Sequence, residues 1–344
     1  MPRLVALDLP GGPEFVDELQ RLWDAGDAVF PVDQRLPAAA KRHLCEQMRV
    51  GEPVESGDAL VMATSGSTGT PKGVVLTHAA VSASAAATSA RLGTGPDDHW
   101  LACLPLNHVG GLSVVTRALH TGVPLTVHPG FDAAAVMSSG ATLVSLVATA
   151  LQRIDPTAFR VIVLGGSRPP SDRPANSVAT YGMTETGSGV VYDRRPLDGV
   201  EIRIVDGEIQ VRAPMLLRCY RDGRDPKTPD GWFPTGDLGG FEDGLLDVHG
   251  RADDLIITGG ENVWPEPVEA ILRGVPGVLD VAVAGTPDPE WGQVVTAHVV
   301  GDVSLDALRD AVKAELPAYC APRRVVRHET LPRTGLGKIR RAQL

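Results

Sequence analysis

The chain is predicted to be an α/β protein with a large N-terminal domain and a smaller C-terminal one, and three observations carry that prediction. From residue 59 onward, short apolar runs alternate with Ala-rich helical segments, the pattern of strands and helices in turn. Beyond Gly199 the text changes to short alternating segments separated by Asp-Gly pairs, which read as hairpins and a small β subdomain. From Arg251 a fresh set of strand and helix signals begins, and 344 residues exceed what one hydrophobic core usually serves.

Residues 1–57 carry weaker pattern: an amphipathic stretch over 14–23, an apolar run over 28–32 and a helix-like segment over 37–48. Residues 59–63 read as a strand, and the alternation continues through 79–91, 101–105, 112–119, 142–154 and 160–164. Residues 201–205, 208–212 and 245–248 are the hairpin strands. In the last part 266–272 and 305–316 read as helices, and 278–284 and 294–300 as strands. The boundary is placed within 250–254, giving domains 1–250 and 251–344.

Composition excludes several classes. Hydrophobic content of 43% and charged content of 22% are those of a globular protein, and a net charge of −10 argues against a nucleic-acid surface. No apolar run approaches a membrane span, and the N-terminus lacks a basic region with an apolar signal core, so a cytoplasmic enzyme is expected. Cys45, Cys103, Cys219 and Cys320 lie far apart without metal-ligand spacing and read as small buried hydrophobes.

The most informative stretch is Thr64-Ser65-Gly66-Ser67-Thr68-Gly69-Thr70-Pro71-Lys72-Gly73. Glycines let the backbone aim N–H groups at an anion, the hydroxyls add donors, and Lys72 supplies a mobile point charge. Pro71 and Gly73 flank the lysine, so the common P-loop spelling fails on both sides. A flexible Ser/Gly linker would not be hemmed in by two apolar runs.

Other constellations follow. The apparent strand at 160–164 stops at Gly165-Gly166-Ser167, where open α/β sheets bind ligands. Tyr181-Gly182-Met183-Thr184-Glu185-Thr186-Gly187 joins an aromatic face for a purine, hydroxyl donors, and in Glu185 a hard oxygen ligand suited to Mg2+. Thr235-Gly236-Asp237-Leu238-Gly239 and Gly250-Arg251-Ala252-Asp253-Asp254 each place charge beside glycine. Pro332-Arg333-Thr334-Gly335-Leu336-Gly337-Lys338-Ile339 sets one lysine after a glycine-rich turn, whereas Arg340 and Arg341 are expected on a solvated surface.

These ordered motifs, spread over residues 64–338, identify the chain as a member of the adenylate-forming superfamily of acyl-CoA and aryl-CoA ligases, peptide-synthetase adenylation domains and luciferases. The resemblance implies the adenylate-forming fold, with a large N-terminal α/β domain and a small, mobile α+β C-terminal domain. It implies that residues 64–73 hold the phosphates of ATP, that Glu185 binds Mg2+, that Asp237 and Arg251 contact ribose, that Asp253 is the hinge and that Lys338 is the adenylation lysine. Relatives usually carry a longer region before the phosphate loop, so this chain is expected to be a shortened form.

The segments Leu104-Pro105-Leu106-Asn107-His108-Val109-Gly110-Gly111-Leu112, 142–149 with Gln152-Arg153, and Tyr192 with Pro196-Leu197-Asp198-Gly199-Val200 resemble the o-succinylbenzoate–CoA ligases of menaquinone biosynthesis, the compact actinobacterial type most closely. That resemblance implies ATP-dependent activation of an aliphatic carboxylate, with CoA as acyl acceptor. His108 is expected beside the acyl pocket, with catalytic proton transfer and simple packing as alternatives. Ser145, Thr149 and Ser188 are candidates for the substrate's second carboxylate, and no arginine is singled out. Two rivals stand: another aryl- or fatty-acyl-CoA ligase, and a nucleotide-binding protein without ligase activity, which retention of Lys72 and Lys338 opposes. Association state is not read from the sequence, and a homodimer is left open.

Overall fold

The computed structural model describes residues 1–65, 71–166, 169–170, 172–333 and 339–344, with Ser65 described by its backbone alone. It forms two compact units: Met1–Arg203 with Gln210–Pro234 and Gly244–Leu246, and Ile204–Ile209 with Thr235–Asp243 and Asp247–Leu344.

The first unit holds two sheets. In one, Leu4–Leu7, Ala28–Pro31, Asp58–Ser65, Pro71–Thr77 and Cys219–Tyr220 lie side by side in that order. Its first three strands are parallel and need crossovers, which the helices Pro13–Asp24 and Ala38–Gln47 supply. The weakly patterned N-terminal residues thus form ordered elements, together with a first strand that the sequence reading did not find.

The other sheet runs Arg195–Pro196, Ser188–Tyr192, Ser177–Met183, Val161–Leu164, Leu143–Leu146, Trp100–Ala102, Leu125–Val127. The last five of these are parallel. Trp100–Ala102 and Leu143–Leu146 are buried along their whole length, as expected of parallel strands covered on both faces. Helix His78–Leu92 begins where the Thr77 hydroxyl accepts from Ala80 N at 3.1 Å, and it ends at Gly93 in the left-handed region. Helix Val109–Thr121 follows strand Trp100–Ala102. The single expected segment 142–154 divides into strand Leu143–Leu146 and the short helix Ala148–Leu151.

Strands Glu201–Val205, Glu208–Arg212, Phe233–Glu242 and Leu245–Arg251 form a four-stranded sheet in that order, the hairpin region read from the Asp-Gly pairs. Asp206–Gly207 and Asp243–Gly244 have positive φ at both positions, the type I′ geometry that matches strand twist. This sheet contributes segments to both units, so a single cut at residue 250 does not describe the division.

The rest of the second unit is a sheet with two helices. Its strands run Glu261–Val263, Ile256–Thr258, Gly292–Gly301, Val278–Asp288, with Arg324–Arg327 parallel to Gly292–Gly301. Val268 and Leu272 of helix Pro265–Leu272 and Leu308 and Val312 of helix Leu305–Glu315 meet Val281, Val283, Val295 and Val299 in one buried core. Arg341 is not a solvated tail residue. Its guanidinium lies 3.2 Å from Asp254 and 2.6 Å from Glu269 and donates to Val283 O, which pins the chain end to this unit.

Candidate active site

The antiparallel pair Asp58–Ser65 and Pro71–Thr77 sets Thr64 opposite Lys72 and Ser65 opposite Pro71. Thr64 Oγ1 donates to Lys72 O at 3.4 Å, so an antiparallel pair flanks the stretch expected to hold phosphate. Gly66, Ser67, Thr68, Gly69 and Thr70 lie outside the described residues, as do Ser167 and Lys338.

Lys72 meets an aromatic ring from another segment. Its ammonium lies 5.6 Å from the centroid of the Tyr220 ring, which belongs to the strand paired with Pro71–Thr77. The Tyr220 hydroxyl in turn donates to Glu185 Oε1 at 3.1 Å. Glu185 sits on the 3-10 turn Thr184–Thr186, after the carboxyl end of strand Ser177–Met183. The Thr186 hydroxyl ties that turn to Met183 N at 2.9 Å and to Ser188 O at 2.6 Å, and Glu185 O accepts from Leu217 N at 2.8 Å. Gly182 is required here, because a Cβ would stand 2.2 Å from Ser188 O. Tyr181 and Thr184 are half-buried on the same strand and turn. Gly165 and Gly166 follow the parallel neighbour Val161–Leu164, and Thr180 Oγ1 donates to Leu164 O at 3.0 Å beside them.

These residues suit a magnesium nucleotide. No group of three or more His, Cys, Asp or Glu able to hold a metal occurs among the described residues. A half-buried carboxylate with a single side-chain donor among the described residues keeps lone pairs for a hard cation, and Mg2+ commonly takes one or two carboxylates, with substrate phosphates and water completing its shell.

In the second unit Asp237 is buried, and Arg251 Nη1 donates to it at 3.3 Å and to Thr235 O at 2.9 Å. The structure therefore brings the two expected ribose residues together. Asp253 is exposed on the turn Ala252–Asp254.

Of the acyl-side candidates, Ser145 and Ser188 meet at a residue that the sequence reading missed. Arg117, only 2% exposed, donates to Ser188 Oγ at 2.6 Å, to Ser145 Oγ at 3.4 Å and to the Tyr192 hydroxyl at 3.4 Å. Its Nε makes no hydrogen bond, and no carboxylate pairs with it, among the described residues. The signal was a lone cation within the small and apolar run of helix Val109–Thr121. Thr149 is exposed on Ala148–Leu151 and does not join this group. His108 precedes helix Val109–Thr121, with Arg35 Nη2 at 3.4 Å and Asn107 Nδ2 at 3.3 Å from its Nε2. An arginine only donates, so any hydrogen bond in that contact has Nε2 as its acceptor. Three of the four cysteines are buried and Cys45 is half-buried; burial pushes the Cys103 thiol up to about 12, which leaves it inert.

The family model for AMP-binding enzymes matches residues 16–221, and that for the AMP-binding enzyme C-terminal domain matches residues 267–338. The chain is 41% identical to a probable 2-succinylbenzoate–CoA ligase of Mycobacterium tuberculosis, covering 98% of this chain and 97% of that protein. The chain belongs to the 2-succinylbenzoate–CoA ligase family of adenylate-forming enzymes. A 2-succinylbenzoate–CoA ligase of Enterococcus faecalis is 34% identical over 88% of this chain and 72% of its own length. Among solved structures, the o-succinylbenzoate CoA synthetase of Bacillus subtilis in complex with its acyl-adenylate intermediate superposes with a TM-score of 0.91 at 29% identity, covering 99% of this chain and 87% of that one. The same synthetase with ATP and magnesium ion gives 0.89 at 28% identity, covering 99% and 89%. This ligase thus has the adenylate-forming fold that its motifs implied.

Proposed function

We infer that the chain is an AMP-forming acid–thiol ligase that joins 2-succinylbenzoate to coenzyme A. The succinyl carboxylate attacks the α-phosphate of ATP, giving the acyl-adenylate and pyrophosphate. The CoA thiol then attacks the acyl carbon, the bond to AMP breaks, and the thiol proton leaves with solvent or a nearby base. The family and its motifs support this reaction, and one observation carries the choice of substrate: Arg117, a buried guanidinium held by hydroxyls and unpaired with any carboxylate among the described residues.

A buried cation without an anion is costly, and a dicarboxylic substrate supplies one. We assign Arg117 to the ring carboxylate, with Ser145 and Ser188 orienting the guanidinium. Lys72 and residues 64–70 are assigned to the phosphates, with Gly165, Gly166, Ser167, Tyr181, Gly182 and Thr184 along the nucleotide. Asp237 and Arg251 are assigned to the ribose. Glu185 would hold Mg2+, which when bound offsets phosphate charge as ATP is attacked. Lys338 is assigned to the developing charge between carboxylate and α-phosphate. Adenylation transfers no proton, so His108 is assigned to lining the acyl side.

For CoA to reach the carbonyl that Lys338 attends, that lysine has to withdraw, which is the role proposed for a hinge at Asp253. We place the ligase in the cytoplasm; among the described residues no helix is long and apolar enough to cross a membrane.

The test is pyrophosphate release across 2-succinylbenzoate, benzoate, aminobenzoates and medium-chain fatty acids, with and without CoA. Release confined to 2-succinylbenzoate is expected. Equal release with a monocarboxylate would overturn the assignment of substrate.

A further inference from the structure

The hydroxyls around Arg117 have a fixed sense of donation. Arginine offers five N–H groups and no acceptor, so Ser145, Ser188 and Tyr192 must each accept from it. Each then has its own proton to place elsewhere. Ser188 Oγ donates to Ser113 Oγ at 3.4 Å. The Tyr192 hydroxyl, which accepts from Arg117, also hydrogen-bonds Thr88 Oγ1 at 3.2 Å, a bond that either hydroxyl can donate. A hydrogen-bonded chain therefore runs from Arg117 through Tyr192 to Thr88 on helix His78–Leu92.

Tyr192 is also the best fixed member of the group. It is 0% exposed, its backbone carbonyl accepts from Arg91 Nη2 at 2.8 Å, and its ring packs over Gly189, where a Cβ would stand 3.0 Å from Tyr192 Cε2. Ser188 and Ser145 are short side chains that a mobile guanidinium could follow by rotating. A tyrosine ring wedged between a glycine and a helix cannot follow.

We propose that Tyr192 is a positioning residue for substrate selection: by way of Thr88 it holds the Arg117 guanidinium in the orientation that receives the second carboxylate of the substrate. It touches no reacting atom and acts only through Arg117. The proposal rests on the assignment of Arg117 to that carboxylate.

The test compares 2-succinylbenzoate with 4-oxo-4-phenylbutanoate, the same acid without the ring carboxylate, in the complete ligase assay with ATP, Mg2+ and CoA. Tyr192→Phe keeps the ring and deletes the hydroxyl. It is expected to raise KM for 2-succinylbenzoate and to lower the preference for it over the monocarboxylate by about two- to tenfold, the range one hydrogen bond spans. The kcat for 2-succinylbenzoate and the kcat/KM for the monocarboxylate are expected to stay near wild type. Thr88→Val, which removes the hydroxyl that Tyr192 bonds, should lower the preference in the same direction.

Arg117→Met separates the two levels of the argument. If it leaves the preference unchanged, the assignment of Arg117 fails and the proposal falls with it. If Arg117→Met collapses the preference while Tyr192→Phe and Thr88→Val leave it intact, only the positioning role is overturned. Equal losses on both acids in Tyr192→Phe would also overturn it, since a purely structural tyrosine would act that way.

Discussion

The Tyr220 hydroxyl donates to Glu185 Oε1 across 3.1 Å, and the same ring lies 5.6 Å from the Lys72 ammonium. One aromatic side chain thus sets the spacing between the carboxylate proposed for Mg2+ and the lysine proposed for the phosphates. Tyr220→Phe should leave the fold intact and lower the rate of adenylation by roughly ten- to 100-fold, the effect of one hydrogen bond to a charged group. It should also raise the Mg2+ concentration needed for half-maximal activity. An unchanged Mg2+ dependence in a titration of pyrophosphate release would detach Tyr220 from the cation site.

Arg117 is a case where stability and activity should part. Replacing a buried charge that lacks an anion by an apolar side chain of similar length is often neutral or stabilising. Arg117→Met is therefore expected to unfold at the wild-type temperature or above it in the absence of substrate. At the same time kcat/KM for 2-succinylbenzoate should fall by roughly 100-fold or more, the cost of losing a desolvated charge pair. Thermal melts and steady-state kinetics on the same preparation check both, and a large loss of stability with retained activity would contradict the assignment.

Asp98 should make part of the stability depend on acid. It is 6% exposed and accepts from Arg160 at 2.6 and 2.8 Å, from Thr142 at 2.8 Å and from Gly95 N at 2.9 Å. Burial pushes its pKa up, but the Arg160 guanidinium and the other donors outweigh that and hold it below its ordinary value of 3.8. A depressed carboxylate contributes stability that is fully present above the unfolded value and is lost as pH falls through the folded one. Asp98→Asn should cost roughly 1–2 kcal/mol near neutrality. Its gap to wild type should narrow between about pH 5 and pH 2. Urea melts at both ends of that window would refute this if the gap stayed constant.

The two half-reactions should separate at Lys338. Lys338→Ala is expected to slow adenylation by roughly 100-fold or more, since it removes a charge assigned to the transition state. Thioester formation from preformed acyl-adenylate and CoA should stay near wild type. Stopped-flow or quench assays of each half-reaction check this, and equal losses in both would remove Lys338 from its assigned role.

Much of the candidate site's local structure was legible because it depends on local sequence. The strand before Lys72, the turn bearing Glu185 and the Asp-Gly hairpins each follow from residues within one element or turn. What escaped depends on contacts distant in sequence. Tyr220 lies 35 residues from Glu185, and Ser188 lies 71 residues from Arg117, so no spacing rule joins them. Arg117 was hidden further because a lone cation in a helix normally marks its solvated face. The expectation of a solvated Arg341 failed for the same reason: its partners Asp254 and Glu269 lie 87 and 72 residues back in the chain. The hairpin sheet contributes strands to both units, which no cut at one residue can express.

The central claim is ligation through an acyl-adenylate, and a single-turnover experiment tests it most directly. Enzyme in excess over 2-succinylbenzoate is mixed with ATP and Mg2+, quenched for mass spectrometry, and then chased with CoA in a parallel sample. The account predicts one equivalent of 2-succinylbenzoyl-AMP before the chase, and its replacement by the CoA thioester and AMP after it. Thioester formation without a detectable adenylate, or an adenylate that CoA does not consume, would contradict it.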